Sequence, residues 1–296
     1  MTTNIATDRR ANLVGSAWMV LAMAAFAVED TFIKAAAQSL QVGQILVFFG
    51  LGGSAVFMIL SVVQRQRLFT ADVVSTPMRL RVVFEIIGRL FFVLAITLTP
   101  LSSATVILQA TPLVVVAGAA LFFGETVGPR RWLAIVTGLV GVLVIIQPGA
   151  DGFSLLSILA VIGMLGFAGR DLASRAAPGS LSASVLGFYG FLSIVAAGDL
   201  FALWEQTVFI IPETMAAIAL CGAILAGVAA YTSLMKAMRT GEVSAVTSFR
   251  YTRLLFGIGF GVLLFDEQLD WPVFWGCGLI VVSGLFILWR GKHAET

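Results

Sequence analysis

Long apolar stretches of about 20 residues alternate with short polar joints along the whole chain. A helix of that length crosses the hydrocarbon core of a bilayer, so each stretch predicts one membrane-spanning helix. The stretches do not show the period of two that marks the strands of a membrane β-barrel. Ten of them qualify: 13–36, 43–63, 81–98, 102–123, 131–147, 154–174, 182–203, 213–236, 243–264 and 271–289. The pattern predicts an all-α polytopic membrane protein.

Composition favours the same class. Of the 296 residues, 59% are hydrophobic and 11% are charged, whereas soluble domains carry about 25% charged residues. Both cysteines, Cys221 and Cys277, lie inside apolar stretches, which favours small buried side chains over a disulfide or metal ligands. The first apolar stretch is too long for a signal-peptide core, so we interpret it as a retained helix. We expect no metal and no cofactor.

The distribution of Lys and Arg predicts the orientation. With the N-terminus inside, the inner loops and tails hold 13 of the 18 basic residues, while the outer loops hold only acidic ones. Both termini are therefore predicted to be cytoplasmic, in a bacterial inner membrane. This arrangement requires an even number of helices.

The chain also matches itself at a fixed offset. Glu125 aligns with Glu267 at an offset of 142, and Asp30 aligns with Asp171 at 141. The halves are 1–148 and 149–296, with five helices each. Because five is odd, the second half enters the membrane from the opposite side. The sequence thus predicts two inverted five-helix repeats, an architecture typical of transporters with a site between the halves.

A motif in the fourth predicted helix resembles the EamA family of the drug/metabolite transporter superfamily. The stretch 105–113, TVILQATPL, contains Pro112, and it leads to the Gly124–Glu125 turn and then to Gly141. Ala134 stands where the family has an earlier glycine. The second copy is weaker, because Leu254 and Asp266 replace the proline and the glycine.

This resemblance covers nearly the whole chain and implies a ten-helix bundle around a central cavity. It implies transport of small metabolites such as amino acids. Family members include amino-acid exporters and carriers for S-adenosylmethionine or riboflavin, so a larger metabolite is the alternative substrate. The motifs identify the family well and the substrate poorly.

Charged residues inside the predicted helices need a partner, water or a function. The repeat duplicates one set: Asp30 and Lys34 in the first helix, and Asp171 and Arg175 in the sixth. Residues four apart share a helix face, so we expect an ion pair at each mouth, acting as gates. The alternative role is simple neutralisation at the interface.

Two neighbours of these pairs, Glu29 and Arg170, face differently, because adjacent residues lie on different sides of a helix. One of Glu29 or Asp30 therefore points into the cavity. Such a carboxylate, or Glu85, is our candidate for a coupling proton.

The charges that the repeat does not duplicate are the candidate substrate site. Glu85 and Arg89 lie in the third helix, and Arg250 and Arg253 lie near the middle of the ninth. A guanidinium group suits a carboxylate, so we expect Arg250 or Arg253 to bind an anionic group and Glu85–Arg89 to complete the site. The alternative is a salt-bridge network that holds the two helices together. Two tyrosines in mid-helix are further cavity candidates: Tyr189 and Tyr251.

These features favour a secondary transporter whose partners are a small-molecule substrate and the lipid bilayer, and not nucleic acid. An enzyme is disfavoured, because the single histidine, His293, lies in the tail. The chain also lacks a P-loop pattern, which disfavours transport driven by its own ATP hydrolysis. A receptor or scaffold is the weaker alternative. Direction of transport and oligomeric state stay open.

Overall fold

A computed structural model describes residues 9–99, 104, 107–125, 127–146, 156–206 and 208–265, together with 271, 274–276, 278, 279 and 282. Regular structure in this part of the chain is helical, which confirms the all-α class. The α-helices are α1 Arg9–Ala36, α2 Val42–Val63, α3 Thr76–Leu98, α4 Thr111–Phe123, α5 Pro129–Ile146, α6 Ser157–Ala176, α7 Ala183–Glu205, α8 Thr214–Arg239, α9 Val243–Val246 and α10 Thr252–Phe265. Two 3-10 helices, Ala71–Val74 and Thr247–Tyr251, complete the regular structure.

Four of the described helices, α1, α2, α7 and α8, are long and apolar enough to cross a membrane. Helices α3 and α6 have similar lengths, of 23 and 20 residues, but they carry several of the intramembrane charges. Of the 19 residues of the predicted span 271–289, 12 lie outside the described residues. The total of ten spans stays a prediction.

Helix packing follows the twofold relation that a repeat predicts. Helix α1 packs along α8, and α3 packs along α6. The sequence offset matches α1 to α6 and α3 to α8. The α1–α8 contact in one orientation is therefore equivalent to the α6–α3 contact. It also matches α2 to α7, and these two pack against each other. The inverted orientation and the boundary between 148 and 149 remain predictions.

The α3–α6 contact is close because glycines face each other. A Cβ built on Gly166 would lie 2.5 Å from the Cα of Gly88 and would also meet the backbone nitrogen of Gly88. Small residues let membrane helices approach until their backbones touch. This approach brings Glu85 and Arg89 of α3 beside α6.

The Gly–Glu turn that marks the family has a local structural explanation. Helix α4 ends at Gly124, whose φ of 64° lies in the left-handed region that glycine adopts without steric cost. Its second copy, at 266–270, lies outside the described residues. We still expect Glu125 to favour the N-terminal dipole of the next helix rather than to act on substrate.

The ninth predicted span is broken in its middle. Its pieces are α9, the 3-10 helix and α10. The fourth predicted span is likewise interrupted, since Gln109 and Ala110 form a turn before α4. Oriented to satisfy both partners, the Gln109 amide donates to the Arg250 carbonyl oxygen and accepts from the Leu254 nitrogen, each at 3.2 Å. A continuous helix joins a carbonyl to the amide four residues on. Gln109 therefore supplies hydrogen bonds where the two interrupted spans meet.

We predict that Gly166→Ala destabilises the protein by about 1–3 kcal/mol, because the added methyl group has no room against Gly88. Gly259→Ala in α10 is the matched control, because a Cβ there meets nothing within 4 Å. That change should be neutral or slightly stabilising, since alanine is the better helix former. Thermal unfolding of the two purified variants measures the difference. Equal melting temperatures would contradict the close contact.

Candidate functional site

Two adjacent carboxylates of α1 bind arginines on two different helices. Glu29 forms an ion pair with Arg89 of α3. Asp30 forms one with Arg253 of α10, whose Nε also donates to Asp30 Oδ2 at 3.1 Å. All four side chains are nearly or fully buried. Helix α1 is thus joined by charge to both α3 and the broken ninth span.

A second set of buried charges runs through α6, and we call it the α6 charge chain: Arg81, Glu85, Arg170, Asp171 and Arg250. Glu85 lies 3.2 Å from Arg170 and 4.0 Å from Arg81. Arg170 lies 2.9 Å from Asp171, and Asp171 also pairs with Arg250. Each carboxylate is therefore shared between two arginines.

Arg81 and Tyr231 were missed by sequence reasoning. We counted Arg81 among the cytoplasmic loop cations, yet its side chain is fully buried. It donates to Ser174 Oγ at 3.0 Å and to the Leu186 carbonyl at 2.7 Å, and it contacts Tyr231 Oη. Tyr231 in turn donates to Glu85 at 2.7 Å. The available signal was the spacing of Arg81, Glu85 and Arg89, which places three charges on one face of α3.

A small cavity, with room for about one water molecule, lies among these charges. Its lining comprises three apolar and four cationic side chains: Phe26, Leu108, Phe167, Arg89, Arg170, Arg250 and Arg253. Both repeats contribute. Phe26 and Phe167 are equivalent at the offset of 141, and Leu108 and Arg250 are equivalent at 142. The cavity therefore lies where the two repeats meet.

The phenyl rings and the guanidinium groups of this cavity contact one another. The Arg170 guanidinium carbon is 4.7 Å from the Phe167 ring centroid, and that of Arg253 is 5.0 Å from Phe26. These are cation–π distances, which hold the arginine planes against apolar walls. Within the described part of the chain, the lining contains hydrogen-bond donors and apolar groups but no carboxylate.

Some donors in the cavity have no partner. Among the described atoms, the Nε atoms of Arg89 and Arg250 are buried and make no hydrogen bond. Buried donors are usually satisfied, so such exceptions call for an explanation. These two atoms belong to side chains that line the cavity.

The ion pairs differ from the ones that sequence spacing predicted. Asp30 pairs with Arg253 of α10. Asp171 pairs with Arg170 and Arg250, while Arg175 donates to the carbonyls of Met238 and Gly241 at 3.1 and 3.4 Å. The expected Glu85–Arg89 pair is replaced by Glu85–Arg170 and Glu29–Arg89. Spacing along one helix does not reveal the arginines that neighbouring helices supply, which here are Arg89, Arg250 and Arg253.

The tyrosines that we expected in the cavity lie elsewhere. Tyr251 is buried and donates to the Ile135 carbonyl of α5 at 2.9 Å. Tyr189 is half-buried and donates to the Leu68 carbonyl at 3.1 Å. Each hydroxyl is satisfied by a backbone oxygen outside the cavity lining. A role for either in binding substrate stays untested.

A helical membrane protein with a charged cavity between two repeats has the architecture of transporters that are built from internal repeats. A family model for EamA-like transporters matches residues 13–147 and again 154–289. The chain therefore belongs to the EamA-like transporter family, in the drug/metabolite transporter superfamily, as its motifs suggested. It is a multi-pass membrane protein.

Curated relatives are similar over the whole chain or most of it. A riboflavin transporter of Rhizobium johnstonii is 27% identical, over 99% of this chain and 97% of that protein. A riboflavin transporter of Vibrio cholerae is 28% identical, over 96% of each. An S-adenosylmethionine uptake transporter of Rickettsia conorii is 24% identical, over 70% of this chain and 69% of the relative.

A solved structure described as "Crystal structure of protein" matches with a TM-score of 0.75 and 18% identity, over 97% of this chain and 99% of that one. At this identity the likeness shows the fold alone.

We predict that Tyr231→Phe destabilises the protein by about 1–3 kcal/mol, because Glu85 loses a buried donor. Tyr189→Phe is the control, since its half-buried hydroxyl has water as an alternative partner. Melting temperatures, with the Tyr231→Phe/Glu85→Gln double-mutant cycle, give the coupling energy. Additive effects of the two changes would contradict the hydrogen bond.

Proposed function

We propose that this protein is a secondary transporter that carries riboflavin or a closely related flavin across the bacterial inner membrane by alternating access. The observation that carries this proposal is the lining of the cavity, which pairs arginine donors with apolar and aromatic walls. Full-length similarity to two riboflavin transporters supports it.

The cavity chemistry fits a flavin ring. The isoalloxazine ring is planar, and one edge of it presents carbonyl oxygens and ring nitrogens that accept hydrogen bonds. Arginine only donates, and its planar group stacks on aromatic surfaces. Phe26 and Phe167, one from each repeat, offer apolar surfaces for a flat ring once the small cavity widens to admit it.

The same chemistry disfavours the other candidates. S-adenosylmethionine carries a sulfonium cation, and an amino acid carries an ammonium group. Either cation would face arginines, because the described lining includes no carboxylate. The amino-acid substrate that we expected first has no support from the relatives above, and the riboflavin alternative does.

Substrate binding at the arginines also gives a route to conformational change. Arg253 binds Asp30 of α1, and Arg250 binds Asp171 of α6. A substrate that accepts hydrogen bonds from these arginines competes with the two aspartates. Competition of this kind changes the relative free energies of the two access states. In this proposal the gate role passes to the pairs Asp30–Arg253 and Asp171–Arg250, while a gate role for Lys34 and Arg175 stays untested.

Proton coupling remains a hypothesis in the same scheme. Its candidate carriers, Glu29, Asp30 and Glu85, are all buried and each contacts an arginine. A pH gradient imposed on proteoliposomes, without a flavin gradient, tests it. Flavin accumulation that does not respond to that gradient would reject coupling.

We predict that Arg250→Gln and Arg253→Gln each weaken riboflavin binding about 10- to 100-fold, because each removes a hydrogen bond from a charged donor. Quenching of flavin fluorescence by the purified protein measures the dissociation constant. Arg67→Gln is the control, because Arg67 is exposed outside the cavity.

Three further measurements complete this test. S-adenosylmethionine and alanine should not displace the flavin, and uptake of labelled riboflavin into proteoliposomes should follow the binding constants. Melting temperatures show whether each variant is folded. Wild-type affinity in both folded arginine variants would reject the proposed site.

A further inference from the structure

The buried charges of the described residues do not balance. Five arginines are buried, Arg81, Arg89, Arg170, Arg250 and Arg253. Four carboxylates are buried with them: Glu29, Asp30, Glu85 and Asp171. Five positive charges against four negative ones leave one positive charge in the protein interior.

The excess belongs to one part of the network. Glu29–Arg89 and Asp30–Arg253 are one-to-one pairs. The α6 charge chain holds three arginines but only two carboxylates, Glu85 and Asp171. The unbalanced charge is therefore spread over Arg81, Arg170 and Arg250.

The two ends of the α6 charge chain have unused hydrogen-bond donors. At one end, Arg81 Nη1 makes no hydrogen bond, and the short contacts of this side chain are all to neutral oxygens. At the other end, Arg250 Nε is unbonded as well. Of the two ends, only Arg250 lines the cavity, as does Arg89, whose Nε is also unbonded.

An uncompensated charge in a low-dielectric interior is unfavourable until an opposite charge approaches it. The proposed substrate, a flavin, is uncharged at neutral pH and does not supply that charge. We propose that the cavity binds a small monovalent inorganic anion of the halide class beside the Nε groups of Arg250 and Arg89. The anion occupies the same cavity as the proposed substrate. Anion binding itself does not depend on the proposed function; only its role in transport rests on that function.

The test measures anion binding without any flavin. The full chain is purified in detergent in sodium gluconate, and gluconate is replaced by chloride or bromide at constant ionic strength. The melting temperature should rise and then saturate as the halide concentration increases, because a ligand that binds the folded state stabilises it. A melting temperature that does not depend on halide, or that rises without saturation, would overturn the proposal.

A charge placed inside the cavity provides the specific control. Leu108 lines the cavity and is the repeat equivalent of Arg250. Leu108→Glu supplies the missing negative charge, so its apparent halide affinity should fall at least about tenfold. Glutamine has nearly the same shape as glutamate but carries no charge, so Leu108→Gln should retain halide binding.

Arg250→Gln removes the excess positive charge directly, so this variant should also lose halide binding. It provides the test if Leu108→Glu fails to fold. Arg67→Gln, with its exposed side chain, should bind halide like the wild type. Equal halide affinity in Leu108→Glu and Leu108→Gln would contradict the inference.

Flavin fluorescence titrations in gluconate and in chloride keep the two proposals separate. Saturable halide binding without flavin binding would reject the proposed function alone. Flavin binding without saturable halide binding would reject the anion site alone.

Discussion

An arginine in a membrane interior must meet a carboxylate or a set of hydrogen-bond acceptors, and this requirement fixes which helices of the protein lie together. Inserting a charge at the bilayer centre costs about 2.5–3.5 kcal/mol on insertion scales. Glu29–Arg89 joins α1 to α3, Glu85–Arg170 joins α3 to α6, and the two aspartates join α1 and α6 to the broken ninth span. Removing one partner of such a pair costs about 3–5 kcal/mol, because the other charge is left uncompensated.

Such a network is weak evidence for stability in itself. Apolar side chains of similar volume are often as stabilising as a buried ion pair, or more so. The network determines which helices pair, and the proposed binding site gives it a role beyond stability. Its arginines present donors to a cavity, and two of these donors, on Arg89 and Arg250, have no partner among the described residues.

The cavity combines a symmetric frame with an asymmetric charge. Phe26 and Phe167 are repeat equivalents and line it from the two halves. Leu108 and Arg250 are also equivalent in position but not in chemistry. Duplication thus accounts for the aromatic walls but not for the cations. Of the four lining arginines, Arg250 and Arg253 lie on the broken span of the second half.

Periodicity was enough to predict the all-α class, and self-similarity was enough to predict the duplication, because both depend on apolar length and on spacing along the chain. Ion-pair partners were not predictable in this way. Spacing of four pointed to Asp30–Lys34 and Asp171–Arg175, because a single helix reveals only its own neighbours. Arg170–Asp171 and Arg81–Glu85 are contacts within one helix, but the other partners come from different helices. Gly88 and Gly166 bring two of those helices close enough to pair.

The burial of Arg81 was not predictable from the sequence for the same reason. It lies at the edge of an apolar stretch, where the positive-inside rule assigns a basic residue to the cytoplasm. Its acceptors, Ser174 and the Leu186 carbonyl, come from sequence positions far away, and they allow it to be buried.

The most direct measurement of the central claim is a cryo-EM or crystal structure of the protein with riboflavin bound. The account predicts the isoalloxazine ring between the Phe26 and Phe167 rings, with its carbonyl oxygens within hydrogen-bond distance of Arg250 or Arg253. Flavin density outside this cavity, or a ring that contacts none of the four lining arginines, would contradict it.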